Sequence, residues 1–506
     1  MSKLFEAVKK NDNETETLNG CKANKSTLND CLDLFFHAQA LRKDQGACEN
    51  HVLDAYKEDP LLALRLLFYL RDIRGNGQGE RVVFRNGLRA IARFDKKPII
   101  KNLKHIPFFG RWDDLLSLYG IDDEIDTAIA EIVSNQADQD LKAYSEDRPQ
   151  DISLLWKWLP SENASNKETV ALAKKVRQKI FHLDAATYRK TLSKFRRITK
   201  VLEPYLMRKD YTFDYSKIPS KAAQKYKDAF LRNDKERYTE YAKSLAKAVE
   251  TGSNDVKINV STLYPVDIIH DIMVKYGAWI SSANETQLSI LNSSWKSLKD
   301  YFNDETKDQN WLVMADVSGS MTYPNYWPMA ASVGLAMYTA EHNNGLFADK
   351  FITFETNPKF VSIDRKWTIE QKINKVVRAD WGGSTNIEAA FKMILDAAVK
   401  ENIPESEMPT ALLIISDMQF NYCCQGTGLD MIRSRYEKAG YKLPKVVFWN
   451  VASQYMANTP ATKDDDGIIL FGGYSPSIVN EIVNNSNPVA FMLEVVNNQR
   501  YNCIEL

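Results

Sequence analysis

The feature that most constrains the fold of this chain is a series of short apolar runs in its C-terminal part. The runs NWLVMADVS, DKFITFET, TALLIISDM, KVVFWNV and GIILFGG alternate with segments of helical periodicity such as PMAASVGLAMYTAEHN. Short buried strands that alternate with helices are typical of a parallel sheet covered by helices on both faces. We therefore expect residues 306–506 to form a doubly wound, Rossmann-like α/β domain.

The preceding part of the chain, residues 26–305, has helical periodicity and few strand-like segments. Amphipathic runs such as DPLLALRLLFYLRDIR follow helix-start signals, here Asp59-Pro60. No strict repeat period is visible, so the pattern predicts irregularly stacked helix pairs. The predicted class is thus a multidomain α plus α/β protein, with residues 1–25 as a polar, mobile N-terminal arm.

The composition of the whole chain excludes few classes of function. The 506 residues include 66 Lys plus Arg and 66 Asp plus Glu, so only local charge clusters could indicate a nucleic-acid or membrane partner. The start MSKLFEAVKK lacks the apolar core of a signal peptide, and no apolar run is long enough for a membrane span. We expect a soluble, cytoplasmic monomer without a membrane partner.

Polar side chains follow two of the predicted strands. Asp316, Ser318 and Ser320 come directly after the first apolar run, and Asp417 comes after the run ALLIIS. Between them, the loop GGSTN offers the hydroxyl of Thr385. Carboxylates and hydroxyls are hard oxygen ligands of the kind that Mg²⁺ prefers, and Mn²⁺ and Ca²⁺ accept them too. The sequence predicts a divalent metal site, with Mg²⁺ as the preferred ion, formed by these five residues.

This pattern resembles the von Willebrand factor A fold, whose metal ion-dependent adhesion site has the order DxSxS, then Thr, then Asp. The departure is GGSTN in place of the usual GGT, so Ser384 and Thr385 compete for one role, and we favour Thr385. The resemblance implies that the metal is a docking point completed by an acidic oxygen of a partner protein. No nucleophile elbow or glycine-rich phosphate loop accompanies the carboxylates, so we do not expect an enzyme.

A second candidate site is a local excess of positive charge. Residues 167–247 contain 22 Lys or Arg against 9 Asp or Glu. Within this segment, cations recur at helical spacing, and we expect five of them to contact RNA. They are Lys190, Lys194, Arg196, Arg197 and Lys200. Such a helix face can bind phosphates, and the interleaved Tyr188 and Phe195 could stack on unpaired bases. The alternative is a solvated face whose charges are paired with acids elsewhere in the fold.

The helical part has a resemblance of its own. LDLFFHAQALR, KEDPLLALRLLFYLRDIRGNGQGERVVF, PFFGRWDDLL, LLWKWLPSE, YRKTLSKFR and KINVSTLYPVDII are similar, in this order, to the TROVE module of the Ro autoantigen and its bacterial and phage-like relatives. This resemblance implies a ring of HEAT-like helical repeats, closed by the A-type domain, that binds structured small RNA or single-stranded RNA ends.

These observations predict an RNA-binding protein of Ro/TROVE type that performs no covalent chemistry. The alternative is a protein-interaction scaffold in which the helical part and the metal site both bind proteins. A metal-dependent nuclease is a third class, disfavoured because neither a second metal site nor an activating base is visible in the sequence.

Overall fold

The computed structural model describes residues 12–276, 282–354, 358–378, 385–421, 428–452 and 458–506. The predicted helical part is confirmed, and we call residues 30–307 the helical half. Its helices are α1 (Asp30–His37), α2 (Gln45–Glu58), α3 (Pro60–Arg71), α4 (Val82–Phe94), α5 (Lys96–Asn102), α6 (Ile106–Phe109), α7 (Trp112–Leu116), α8 (Asp123–Ser145), α9 (Leu155–Trp158), α10 (Lys167–Lys179), α11 (Ala185–Ile198), α12 (Leu202–Met207), α13 (Ser220–Asn233), α14 (Lys235–Thr251), α15 (Pro265–Tyr276), α16 (Glu285–Lys296) and α17 (Asp304–Lys307).

Helix α3 shows how the sequence determines an element boundary. The side chain of Asp59 accepts the backbone N–H of Leu62 at 2.9 Å, and Pro60 occupies the first helical turn. A carboxylate at this position satisfies an N–H group that has no partner within the helix, and proline lacks the N–H that would need one. The predicted start of this helix at Asp59-Pro60 is therefore confirmed.

The predicted doubly wound sheet is also confirmed, in what we call the α/β half (residues 311–506). Its strands are β3 (Trp311–Asp316), β4 (Lys350–Phe354), β5 (Lys359–Ser362), β6 (Ala411–Ser416), β7 (Lys445–Asn450) and β8 (Ile468–Gly472), in the spatial order β5-β4-β3-β6-β7-β8. All neighbouring pairs are parallel except the edge pair of β4 and β5. The apolar runs correspond to the five parallel strands. The antiparallel edge strand β5 is an addition to the prediction.

Helices lie between these strands in the chain and after the last of them. They are α18 (Trp327–His342), α19 (Ile369–Val377), α20 (Ile387–Glu401) and α21 (Gly428–Lys438), followed after β8 by α22 (Val479–Asn484) and α23 (Pro488–Val496). Helix α18 packs against β3 and β6 on one side and against α15 of the helical half on another. Its residues 328–340 are all buried, which explains why its sequence is apolar around its whole circumference.

The helical half contacts the α/β half at both of its ends. At the first end, the ring of Phe35 in α1 lies 5.6 Å from that of Phe471 in β8. At the other end, His270 of α15 stacks on Trp327 of α18 at 3.7 Å. The chain of helices thus leaves the α/β half at α1 and returns to it at α15.

We expect the polar N-terminal arm to be mobile, but its described residues include a paired hairpin. Strands β1 (Glu14–Glu16) and β2 (Lys22–Asn24) pair antiparallel, and we call residues 14–24 the N-terminal hairpin. Asn24 and Thr459 exchange two backbone hydrogen bonds, of 2.9 and 2.8 Å. The expectation was wrong because the residues that fix this hairpin are more than four hundred positions away in the sequence.

Candidate metal centre and nucleic-acid interface

The two predicted carboxylates lie at the ends of the two central strands. Asp316 is the last residue of β3, and Asp417 directly follows β6, which is the parallel neighbour of β3. The chain leaves these two strands in opposite directions across the sheet. The next strand after β3 is β4, on one side of this central pair, and the next strand after β6 is β7, on the other side. Ligand sites in open α/β sheets form at such a switch point, at the carboxyl ends of the strands.

Asp316 is held by hydrogen bonds from both flanking segments. Its Oδ1 accepts the backbone N–H of Ser318 at 2.9 Å, and its Oδ2 accepts the hydroxyl of Ser416 at 2.6 Å. The residue is fully buried. Its carboxylate is therefore fixed in orientation at the sheet edge, with little freedom to turn toward solvent.

The predicted hydroxyl ligands lie beside this carboxylate. Ser318 Oγ and Ser320 Oγ are 3.2 Å apart, and Ser320 also hydrogen bonds to the side chain of Asp417. Ser318 is buried, whereas Ser320 is exposed. The structure thus brings together four of the five predicted residues, with a route from solvent on the Ser320 side.

The fifth predicted residue, Thr385, is hydrogen bonded to Asn421, which lies four residues after Asp417 in the chain. The Thr385 N–H donates to Asn421 Oδ1 at 3.1 Å, and the Thr385 carbonyl accepts the Asn421 N–H at 2.9 Å. Thr385 is buried. The competing residue Ser384 lies outside the described residues, so the choice between the two hydroxyls stays a prediction.

The carboxylate pair is electrostatically unfavourable without a cation. Burial raises the pKa of Asp316, and the nearby charge of Asp417 raises it further. Burial also raises the pKa of Asp417, against which the hydrogen bond from Ser320 acts. A divalent cation would offset both the desolvation and the repulsion. No group of three or more His, Cys, Asp or Glu side chains is suited to a metal within the described ranges, so this pair depends on hydroxyl co-ligands. The donor set fits a hard cation such as Mg²⁺.

A further element at this site was missed by the sequence analysis. The three residues Gln419–Asn421, which we call the Gln419 loop, contact the N-terminal hairpin: Thr17 Oγ1 donates to the Phe420 carbonyl at 2.6 Å, and Asn19 Nδ2 donates to the Gln419 carbonyl at 2.7 Å. No local sequence signal connects residues this far apart.

The predicted RNA contacts divide into two groups. Lys190, Arg197 and Lys200, on or directly after α11, are exposed, and we call them the cationic face. Lys194 lies over the ring of Tyr144 at 3.6 Å. Arg196 is half-buried: its Nε donates to the Trp156 carbonyl at 3.0 Å, and its Nη2 donates to the Leu159 carbonyl at 2.8 Å. Its guanidinium therefore holds the end of α9.

The expectation that aromatic residues of α11 stack on bases was wrong. Tyr188 is fully buried and its hydroxyl donates to the Pro160 carbonyl at 2.9 Å. Phe195 is also buried and stacks on Trp156 at 4.4 Å. Both rings are on the core side of the helix, because spacing that places cations on one face places these residues on the other.

Exposed aromatic surface lies instead in a neighbouring cleft of about 540 Å³, which we call the aromatic cleft. Its lining includes Arg74, Lys104 and Arg111 together with Phe108 and Trp158, and no Asp or Glu is among the described residues that line it. Phe108 is 52% exposed, and the Arg111 guanidinium lies 3.9 Å from the ring of Trp158. Trp158 belongs to α9, which packs against α11. The cleft and the cationic face are therefore on adjoining elements.

The fold and site define a class: a helical half joined at both ends to a doubly wound α/β half, with an acidic, hydroxyl-containing centre at the switch point of the sheet. The helical half matches the family model described as domain of unknown function DUF2828 over residues 17–121 and 124–307. These ranges are more than half of the chain, which therefore belongs to the DUF2828 family. The α/β half matches the model described as domain of unknown function DUF7788 over residues 310–499.

Two individual proteins are similar over most of the chain. An uncharacterized protein of Acanthamoeba polyphaga mimivirus is 28% identical over 519 residues, which cover 95% of this chain and 86% of the viral protein. The crystal structure of the Ro (RSR) protein of Deinococcus radiodurans aligns over 92% of this chain and 93% of its own, at 13% identity and a TM-score of 0.34. A similarity this low supports no inference about function. Neither family description names a TROVE module or a von Willebrand A domain, so both resemblances remain hypotheses from the sequence.

None of the helices in the described ranges has the length and apolar character needed to cross a bilayer.

Proposed function

We propose that this protein binds RNA through its helical half. The observation that supports the proposal most is the juxtaposition of the cationic face with the aromatic cleft. Three exposed cations on or beside α11 can neutralise phosphates, and the adjoining cleft offers aromatic faces and no described carboxylate. Unpaired bases stack on aromatic side chains while the backbone phosphates require positive charge. This combination, with the sequence resemblance to the TROVE module, favours structured small RNA or single-stranded RNA ends as the ligand.

In this proposal the α/β half has a separate role. Asp316, Ser318, Ser320, Thr385 and Asp417 would hold one divalent cation, Mg²⁺ in preference to Mn²⁺ or Ca²⁺. Once bound, such an ion offers an open coordination position to a carboxylate of a partner protein. The residues of the chain fix the two carboxylates and orient the hydroxyls, and no covalent step is assigned to them.

The first experiment is isolation of the protein from its native host at low salt, followed by sequencing of the RNA that copurifies. Its variant arm is the triple charge reversal Lys190→Glu, Arg197→Glu and Lys200→Glu. The matched control reverses three exposed lysines of the α/β half, Lys366, Lys400 and Lys438. Both variants change the net charge equally, so a loss of RNA confined to the first variant locates the interface.

A quantitative form of the same test uses salt. The log of the RNA affinity should fall linearly with the log of the salt concentration, and the triple reversal at the cationic face should reduce this slope by about 2 to 3. The loss should be similar for all RNA sequences, because phosphate contacts position an RNA without specifying its sequence. Protein that binds no RNA at low salt would contradict the proposal.

The alternative function, a protein-interaction scaffold, is favoured by the equal numbers of acidic and basic residues in the whole chain. It makes a different prediction: partner binding through a metal-bridged carboxylate should disappear on addition of a chelator and should depend little on the cationic face. The length of a bound RNA after incubation with Mg²⁺ tests the proposal that the protein is not a nuclease, since shortened RNA would contradict it.

A further inference from the structure

The Gln419 loop connects two of the five proposed metal ligands. The backbone N–H of Gln419 donates to Asp417 Oδ1 at 3.1 Å, at the start of the loop. At the end of the loop, Asn421 exchanges two hydrogen bonds with the backbone of Thr385. A displacement of this loop would therefore move a carboxylate ligand and a hydroxyl ligand relative to Asp316.

The N-terminal hairpin holds the middle of this loop by three hydrogen bonds. Thr17 Oγ1 donates to the Phe420 carbonyl, Asn19 Nδ2 donates to the Gln419 carbonyl, and the Leu18 N–H donates to Gln419 Oε1 at 3.1 Å. Gly20 and Asn421 also form an isolated antiparallel bridge. Gln419 and Phe420 are thus hydrogen bonded to the hairpin, and Asn421 is paired with it.

The loop needs external support, because its backbone begins in a strained conformation. Met418, directly before the loop, has a φ of 63°, in the left-handed region that non-glycine residues seldom occupy. Such conformations persist only where the surrounding structure holds them. Packing contributes as well: Cys21 and Ala23 of the hairpin are buried, and with Met418 and Phe420 they line a cavity of about 40 Å³.

The dependence is mutual. An isolated two-stranded hairpin is at best marginally stable in water, and this one is anchored to the α/β half at the Gln419 loop and at Asn458 and Thr459. We propose that the N-terminal hairpin is a structural part of the metal centre, with Thr17 and Asn19 as positioning residues that fix Asp417 and Thr385 through the Gln419 loop. This inference rests on the proposed metal site.

The test compares Mg²⁺ and Mn²⁺ binding, measured by titration calorimetry, in the full-length protein and in the double variant Thr17→Val, Asn19→Ala. The control is Asn458→Ala, which removes a hydrogen bond of 2.6 Å from Asn458 to the Glu16 carbonyl, a hairpin contact that does not involve the loop. Loss of the two hydrogen bonds from the hairpin to the loop should raise the dissociation constant of the double variant about tenfold, and the control should change it less than about twofold. Equal affinities in the double variant and the wild type would overturn the inference.

Amide hydrogen exchange provides a readout that does not depend on the metal. In the double variant, exchange at Gln419 and Asn421 should accelerate, because these amides donate to Asp417 and Thr385 and the loop that carries them loses its support. If the wild type binds no cation, the metal proposal fails, and unchanged exchange at these amides would overturn the positioning role independently.

A second variant covers the case in which the double variant does not fold. Gln419→Leu removes the side-chain acceptor of the Leu18 N–H and leaves the bond within the hairpin from the Cys21 N–H to Thr17 Oγ1 intact. A several-fold weaker affinity in this variant supports the inference, and an unchanged affinity contradicts it.

Discussion

The side-chain oxygen of Gln78 accepts the backbone N–H of Tyr474 at 3.1 Å and so joins two segments that are 396 residues apart. The same oxygen accepts the N–H of Ser475 at 3.2 Å, and Gln78 Nε2 donates to the Tyr69 hydroxyl at 2.9 Å. Gln78 is in the glycine-rich turn between α3 and α4. This turn, which the sequence alone presents as a helix break, is therefore a joint between the two halves.

Replacement of Gln78 by Leu tests this joint. The variant leaves two buried N–H groups of the α/β half without an acceptor, which should reduce the free energy of unfolding by about 2 to 3 kcal/mol. Urea denaturation monitored by circular dichroism measures the change. The control, Gln45→Leu, replaces an exposed glutamine of α2 and should be nearly neutral. Equal midpoints for the two variants would show that the joint contributes nothing.

The proposed metal centre is tested most directly at Asp316. Asp316→Ala removes one of the two proposed carboxylate ligands, so it should abolish measurable Mg²⁺ binding and the rise in melting temperature that we expect Mg²⁺ to produce in the wild type. The far-UV spectrum and the melting of the helical half should remain nearly unchanged. Calorimetry and thermal melts with and without EDTA provide the measurements. Asp308→Asn, at an exposed acid, is the control, and retained cation affinity in Asp316→Ala would refute the ligand assignment.

Much of the α/β half could be predicted from local sequence. Apolar runs as short as ALLIIS are buried on both faces, so their sequence is continuous and their ends are marked by the polar residues that follow. The positions of Asp316 and Asp417 at neighbouring strand ends follow from that pattern. Strand β5 was missed because only Val361 of its four residues is buried, which leaves an edge strand without an apolar run.

The remaining features depend on contacts between distant segments. The N-terminal hairpin is polar and short, and its order depends on residues 419–421 and 458–459. Arg196 illustrates the same limit on a helix: its spacing of four residues from Lys200 fits a solvated cationic face, yet its guanidinium donates to carbonyls at the end of α9. Periodicity predicts the face of a helix but does not predict what that face contacts.

The structural assignment of Arg196 gives a prediction that separates it from its neighbour. Arg196→Met should lower the free energy of unfolding by about 2 kcal/mol, because two carbonyls at the end of α9 lose their donors. Arg197→Met, at an exposed cation, should leave stability within about 0.5 kcal/mol and weaken RNA binding instead. Denaturation and RNA-binding curves of the two variants provide the comparison. An Arg196 variant that is as stable as the wild type but impaired in RNA binding would return this residue to the interface.

Stability should also depend on pH through His37. This residue of α1 is buried, and burial lowers its pKa to about 3, with a smaller contribution from the charge of His51. The unfolded chain binds a proton at this position near pH 6.5, whereas the folded protein does not until about pH 3. The contribution of neutral His37 to the free energy of unfolding is therefore complete above pH 6.5. It is lost as the pH falls below this value, by about 1.4 kcal/mol per pH unit.

Urea titrations at pH 7, 6 and 5 measure this dependence. Between pH 6.5 and pH 5, the free energy of unfolding should fall by about 2 kcal/mol less in His37→Gln than in the wild type, because glutamine binds no proton in either state. His182→Gln, at an exposed position, is the control and should retain the wild-type slope. If His37→Gln keeps that slope too, the acid sensitivity originates elsewhere and His37 accepts its proton in the folded protein.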